Sequence, residues 1–331
     1  MSVHGPRAPI HRRHEVLRRG FSDNEIRRRH RGQRWHRIRR GTYVKNAAFV
    51  DLDVIERHRL LIDAVLPDMA DQTVLSHQSA ALVYGCPLWQ TPLDRVCVTR
   101  DRRHGGRIKP DVKMHCAPVD QVAIVDGYQL TTPARTVVDL ARTLSRESAV
   151  VAGDALVGAF GIEGAELAME LERAKFRHGI AHAKRVLARL DGRSESVGES
   201  RSRLMLERLG LPQPRSQGNV FDPAGKFVGR VDFYYEKAAV LCEFDGRIKY
   251  GRLLQPGQTP GDAVYQEKIR EDALRALGFQ VIRWTWEDLT DPDPDLTPRL
   301  HAALSRARTP TQGRLDPACP RTPRPLTLRP L

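Results

Sequence analysis

Apolar positions along this chain recur at helical spacing over most of the first 190 residues and at strand spacing in a few short runs. "IHRRHEVLRRG" stops at Gly20, and "FSDNEIRRRHRG" opens with Ser22 three residues before Glu25, a capping box, and stops at Gly32. Two short helices are predicted there, followed by a β-ribbon in "WHRIRRGTYV" with Gly41 at its turn. Residues 53–66 and 73–84 read as helices, and "DRVCVTR" and "DVKMHCAP" as strands split by the polar loop "DRRHGGRIKP". In "TTPARTVVDLAR", Thr132 is the N-cap and Pro133 takes the first helical position, where its missing N–H costs nothing. Helical patterning continues to about residue 190, and the polar, glycine-bearing "LDGRSES" marks a boundary.

A chain of 331 residues is too long for one ordinary core. Helix, helix and basic ribbon outline a winged helix-turn-helix over residues 1–50, and an α/β region fills residues 51–190. The fold class expected is α+β for this N-terminal region. A second, compact α/β domain is expected over residues 195–305. Residues 306–331 are rich in Pro and Arg, lack periodicity and are expected to be disordered.

Charge changes the picture most at the N-terminus. The formal charge is +14, and residues 1–40 hold thirteen arginines against three acids, a local excess of ten. Such a block is the footprint of a polyanion, and duplex DNA is the partner expected. Arg27, Arg28, Arg29, Arg31, Arg34, Arg39 and Arg40 are the candidate contacts to phosphates or base edges. No run is long enough to span a membrane, and "MSVHGPRAPIHRRHEVLRRG" lacks the apolar stretch of a signal peptide, so a cytoplasmic location is expected. The five cysteines show no C-x-x-C spacing and read as small buried hydrophobes.

The stretch "GRVDFYYEKAAVLCEFDGRIKY" carries the candidate chemistry. It reads as two strands joined through "EKAA", and with a loop of either two or four residues Asp232 falls opposite Glu243. Cross-strand Cβ atoms lie about 5 Å apart, so two like charges there need compensation. Alternation puts Val231, Phe233 and Tyr235 on one face and Asp232 on the other, and sets Glu243 and Asp245 apart from Cys242 and Phe244. Three carboxylates converging on one side suit a divalent cation, Mg²⁺ or Mn²⁺, which would polarise a phosphate and acidify an attacking water. An exposed hairpin face paired to arginines is the plainer reading of the same pattern. Trp284 and Trp286, two residues apart, read as sheet packing more readily than as base stacking.

Three stretches, "RIRRGTYV", "LSHQSAALVYGCPLW" and "TTPARTVVDLAR", spread over about residues 10–145, resemble the AbiEi-type antitoxin family of type IV toxin–antitoxin systems. That resemblance implies a DNA-binding winged helix and a cognate toxin as partner. "SVGESRSRLMLERLGLPQP", "GRVDFYYEKAAVLCEFDG" and "EKIREDALRALGFQVIRWTWEDL", over about residues 194–290, resemble the Vsr-like branch of the PD-(D/E)XK nuclease superfamily. This second resemblance implies a restriction-endonuclease-like α/β fold, a mixed sheet flanked by helices, that cuts phosphodiesters with Mg²⁺. It implies Asp232, Glu243 and Asp245 as metal ligands and Glu199 as a helical acid. The superfamily's lysine two residues after the glutamate is here Asp245, which leaves Lys249 and Lys268 as candidates for charge stabilisation. Ser196-x-x-Glu199 is also a capping box, and Lys268 also matches Asp272 at i,i+4. The missing lysine supports a rival reading, a non-enzymatic antitoxin-type regulator with a degenerate nuclease fold. A nuclease acting on RNA or on damaged DNA is a further alternative. Phosphate-binding loops, dinucleotide fingerprints, zinc-protease and serine-hydrolase motifs are absent from the sequence.

Overall fold

The computed structural model describes residues 8–70, 72–102, 104–246, 260–306 and 310–331. At the N-terminus, strand β1 (Ile10–Arg12) leads into helices α1 (Arg13–Arg18) and α2 (Asp23–Arg31), then into strands β2 (Trp35–Arg39) and β3 (Thr42–Lys45). The strands form an antiparallel sheet in the order β1-β3-β2. Val16, Ile26 and Trp35 are its buried core, with Leu17, Phe21 and Tyr43 packed around them. The capping box forms as expected: Ser22 Oγ accepts from the Glu25 N–H, and Glu25 accepts from the Ser22 N–H at 2.8 Å. Arg13 adds a bidentate pair to Asp23 at 2.7 and 2.6 Å.

Next come α3 (Val54–Val65), β4 (Thr73–Leu75), α4 (His77–Val83), β5 (Val96–Arg100), β6 (Arg107–Ile108), β7 (Val112–Cys116), β8 (Gln121–Val125), β9 (Tyr128–Thr131) and α5 (Pro133–Thr143). They are followed by α6 (Arg146–Phe160), α7 (Gly164–Arg173) and α8 (Ile180–Leu187). Residues 73–84, read from the sequence as one helix, divide: Thr73–Leu75 pair along β5, with Leu75 also paired to β9, and the helix is confined to His77–Val83. Thr132 caps α5 through the Arg135 N–H, with Pro133 in the first turn, as its sequence predicts.

The C-terminal part begins with α9 (Val197–Arg208) and an antiparallel meander of β10 (Arg215–Phe221), β11 (Phe227–Tyr235) and β12 (Val240–Phe244). Helix α10 (Pro260–Ala276) leads to β13 (Gln280–Trp284), which lies parallel to β12; α11 (Leu296–Ser305) and β14 (Arg314–Pro317) follow. The sheet order is β13-β12-β11-β10-β14, a mixed sheet. One face packs Phe233, Cys242, Phe244, Ile282 and Trp284 against α9 and α11; the other packs Tyr234, Leu241 and Val281 with Leu274 of α10. Val231 departs from the expected alternation and joins the α10 side.

Within the tail expected to be disordered, two stretches form strands. β14 pairs with β10, and β15 (Thr327–Pro330) pairs with β8, at one end of a seven-stranded sheet ordered β15-β8-β9-β4-β5-β7-β6. Both are edge strands, the one place in a sheet where proline's missing N–H is tolerated. By its internal contacts the chain forms two units. Residues 1–152, 162–188 and 324–331 make one, and residues 153–161 and 189–323 make the other, so the division falls within α6. The fold is mixed α/β throughout, and no described helix is long and apolar enough to cross a membrane.

Candidate functional site

The acids singled out in the sequence lie on β11, on and just after β12, and in the first turn of α9. Their register is set by the hairpin: Glu236–Ala239 form a four-residue loop, Ala239 sits in the left-handed region (φ 55°), and Tyr235 pairs with Val240 and Phe233 with Cys242. The paired register ends there, one residue short of Asp232. The Asp232 carboxylate accepts the Phe244 N–H at 2.9 Å, which places it at the peptide joining Glu243 to Phe244.

Glu199 approaches from α9. A Cβ on the preceding Gly198 would lie 1.9 Å from the Phe244 ring, so only glycine lets the helix come this close to β12. Ser196 caps α9, but the expected reciprocal bond from its own N–H is replaced by one from Glu195. Ser196 Oγ accepts from the Glu199 N–H at 3.1 Å and donates to Oε1 at 2.8 Å. Oε2 accepts the Glu195 N–H and Gln217 Nε2, both at 2.7 Å. Burial, and secondarily the charge of Asp232, push the Glu199 carboxyl up to about 7 in spite of those donors.

Glu243 has a different environment. It is 8 % exposed, and both its oxygens accept from Arg270 Nη2, at 2.7 and 2.9 Å; Arg283 Nη2 lies 2.9 Å from Oε2. Arg283 is its partner in the parallel β12–β13 register. Glu267 bridges both guanidinium groups, and Glu271 is 3.1 Å from Arg283. Burial pushes the Glu243 carboxyl above its usual range against the pull of the two arginines. Burial likewise opposes the charge of Arg270, but its hydrogen bonds and fields from Glu267 and Glu243 hold it above the ordinary arginine value. The Arg270 stem crosses β11 at Gly229, where a Cβ would stand 3.2 Å from it.

Asp245 is half-buried and its N–H donates to the Trp284 carbonyl at 2.8 Å. Lys268 is exposed on α10, beside Glu267 in sequence. Lys249 lies outside the described residues. Trp284 is a core residue, 1 % exposed, stacked on Phe233 and donating Nε1 to Ser202 Oγ at 2.7 Å. Among the described residues no group of three or more His, Cys, Asp or Glu is arranged to hold a metal ion. Sequence reasoning missed Arg270, Glu267 and Arg283. Glu267, Arg270 and Glu271 at i, i+3 and i+4 were a visible signal; Arg283 was not, because its place depends on β13 joining β12 in parallel.

In the N-terminal sheet and helices, Arg27, Arg28, Arg31, Arg34 and Arg40 are exposed. Arg40 stands at the β2–β3 turn. The other two expected contacts are engaged internally. Arg29 lies over the rings of Phe21 (4.6 Å) and Trp35 (5.3 Å), and Arg39 is paired with Asp68 (2.7 Å) and Asp111 (2.5 Å). Arg37, passed over in the sequence, is exposed on β2.

Two of the antitoxin-like stretches converge on a buried polar cluster. His77 stacks on His115 with ring centroids 3.8 Å apart, and Asp139 accepts from Arg135 Nε at 2.9 Å and Arg142 Nη1 at 3.1 Å. Burial lowers His77 to about 3 and His115 to about 4, so both rings are neutral at pH 7.

No protein-family model matches this chain. Two uncharacterized proteins of Mycobacterium tuberculosis, Rv2248 of strain H37Rv and MT2308 of strain CDC 1551, are each 28 % identical over 206 residues, covering 62 % of this chain and 73 % of theirs. Among solved structures, the RV2827C protein from Mycobacterium tuberculosis aligns over 55 % of this chain and 76 % of its own at 16 % identity, with a TM-score of 0.36.

Proposed function

We propose that this chain is a DNA-binding protein that grips duplex DNA with its N-terminal helices and ribbon, in the manner of a winged helix. The observation that carries this reading is the set of five exposed arginines on α2, just after it and at the β2–β3 turn, braced by Arg29 on aromatic rings and Arg39 on two aspartates. Helix α2 would lie in the major groove, with Arg40 on the backbone. Fluorescence anisotropy of a labelled duplex over a salt series tests it. Affinity should fall steeply with salt, and each phosphate-contacting arginine changed to Ala should lower the slope by roughly 0.9. Salt-independent affinity would end the proposal.

For the C-terminal unit, the arrangement of Glu243 favours the regulator, with a nuclease-like fold that no longer cuts. The carboxylate that would hold a cation is already neutralised by Arg270 and Arg283. Asp232 and Asp245 flank the Phe244 peptide and are donors that Mg²⁺ or Mn²⁺ accepts, but the full set of three does not fit a metal as it stands. The cognate toxin remains an expectation from the resemblance alone. A second reading, phosphodiester hydrolysis, is favoured by Glu199. A carboxyl at about 7 beside a second acid can exchange a proton near neutrality. Nicking of supercoiled plasmid with Mg²⁺, Mn²⁺ or EDTA, beside Asp232→Ala and Glu243→Ala, decides between them. DNA binding without nicking supports the regulator, and metal-dependent nicking lost in Asp232→Ala supports the nuclease.

A further inference from the structure

At the end of the C-terminal sheet away from the acids lies a concavity of about 440 Å³. It opens where β12 and β13 begin, so the five residues of β12, roughly 15 Å of strand, separate it from Asp232 and Asp245. Its floor is made of small groups, Ala238, Ala239 and Gly278, beside the buried ring of Phe279. Three arginines line it: Arg275 from α10, Arg299 from α11 and Arg306 at the C-cap of α11. Between the last two in sequence, Ala303 also lines it from the buried core. None of the described lining side chains is a carboxylate.

Part of this charge has a local explanation. Arg275 is in the last turn of α10 and Arg306 caps α11, where each offsets the negative end of its helix. Arg275 also pairs with Glu271, but at 59 % exposure such a pair exchanges readily. Arg299, in the first half of α11, has no such role. Its field reaches Asp288, but that carboxylate is already taken by the N–H groups of Thr285 and Asp293. Three exposed arginines line one hollow, Arg275 paired to Glu271 and Arg306 donating to Gln280, and a phosphate monoester offers the charge and the several acceptors that guanidinium groups match. The volume leaves room for more than the phosphate and falls within the range of small-ligand pockets.

We propose that this hollow binds a phosphate monoester on a nucleotide-sized body, held by Arg275, Arg299 and Arg306. The site is independent of the acids and of any hydrolysis there. The same phosphate could come from a free nucleotide or from the end of a polynucleotide, and the test separates these sources.

The experiment is isothermal titration calorimetry of the full chain with AMP and with adenosine. AMP should bind and adenosine should not, and Arg299→Gln and Arg306→Gln should each weaken AMP about tenfold or more, the loss of one charged hydrogen-bonding partner. Arg314→Gln, at an exposed arginine on β14 that does not line the hollow, should leave it unchanged. Thermal melts confirm that these surface changes leave the fold intact. Displacement of AMP by a short duplex bearing a 5′-phosphate, but not by the same duplex ending in hydroxyl, assigns the site to polynucleotide ends; displacement by neither assigns it to a free nucleotide. Equal affinity for AMP and adenosine, absence of AMP binding at millimolar concentration, or full affinity in Arg299→Gln overturns the proposal.

Discussion

A carboxylate inside a packed sheet must be neutralised, and Glu243 shows by which cation. Its partners are two arginines rather than acids awaiting a metal, so Glu243→Gln should destabilise the metal-free protein. Breaking a buried pair costs about 3–5 kcal/mol, and the partly exposed arginines reduce this to roughly 2 kcal/mol, a fall in Tm of several degrees. Melting in EDTA reads it directly. A metal ligand would give the opposite sign, because removing one of several repelling carboxylates stabilises the apo form. The hairpin register was legible, since both loop lengths lead to it and Tyr235 pairs with Val240. What neutralises Glu243 was not, because the arginines come from elements further along the chain. His77 and His115 make a second prediction at this scale. Both are held neutral by burial, with folded values near 3 and 4 against 6.5 unfolded. Their contribution is intact above pH 6.5 and is lost as pH falls below it, because the unfolded rings take up protons that the folded rings refuse. Each ring then costs on the order of 1.4 kcal/mol per pH unit down to its folded value. Urea melts at pH 7 and pH 5 should show a lower midpoint at pH 5, and a His115→Gln variant should show a smaller drop.

Among the elements, those with chemical punctuation were legible and those without were not. Ser22 with Glu25, and Thr132 with Pro133, announced α2 and α5, and both caps form as written. β8 and β9 were passed over although Asp126-Gly127 between them, both at positive φ and closing the Val125–Tyr128 pair, is a strong signal for a two-residue hairpin turn. β14 and β15 were hidden by their proline content, which an edge position tolerates. The contact between α9 and β12 was also invisible, since it depends on an absent side chain at Gly198. Gly198→Ala should push α9 from the Phe244 ring at a cost of about 1–3 kcal/mol. The same displacement should draw Glu199 away from Asp232 and lower its pKa, which an NMR pH titration of the carboxyl would follow beside the melting curve.

Across the whole molecule, charge is distributed by task. The N-terminal sheet and its two helices carry most of the +14 excess, while the mixed sheet holds its acids and arginines in balanced networks. Removing residues 1–45 should therefore flatten the salt dependence of DNA binding while leaving the C-terminal unit folded, as circular dichroism and anisotropy together would report. The location of β15 has a consequence in time. The strand that covers the outer edge of β8 is made roughly 200 residues after it, which at translation rates of 5–20 residues per second is a delay of about ten to forty seconds. Throughout that interval the nascent chain carries an uncovered strand edge while an entire second unit is being synthesised, so the ribosome-bound protein is a natural client for a holding chaperone until its last strand emerges.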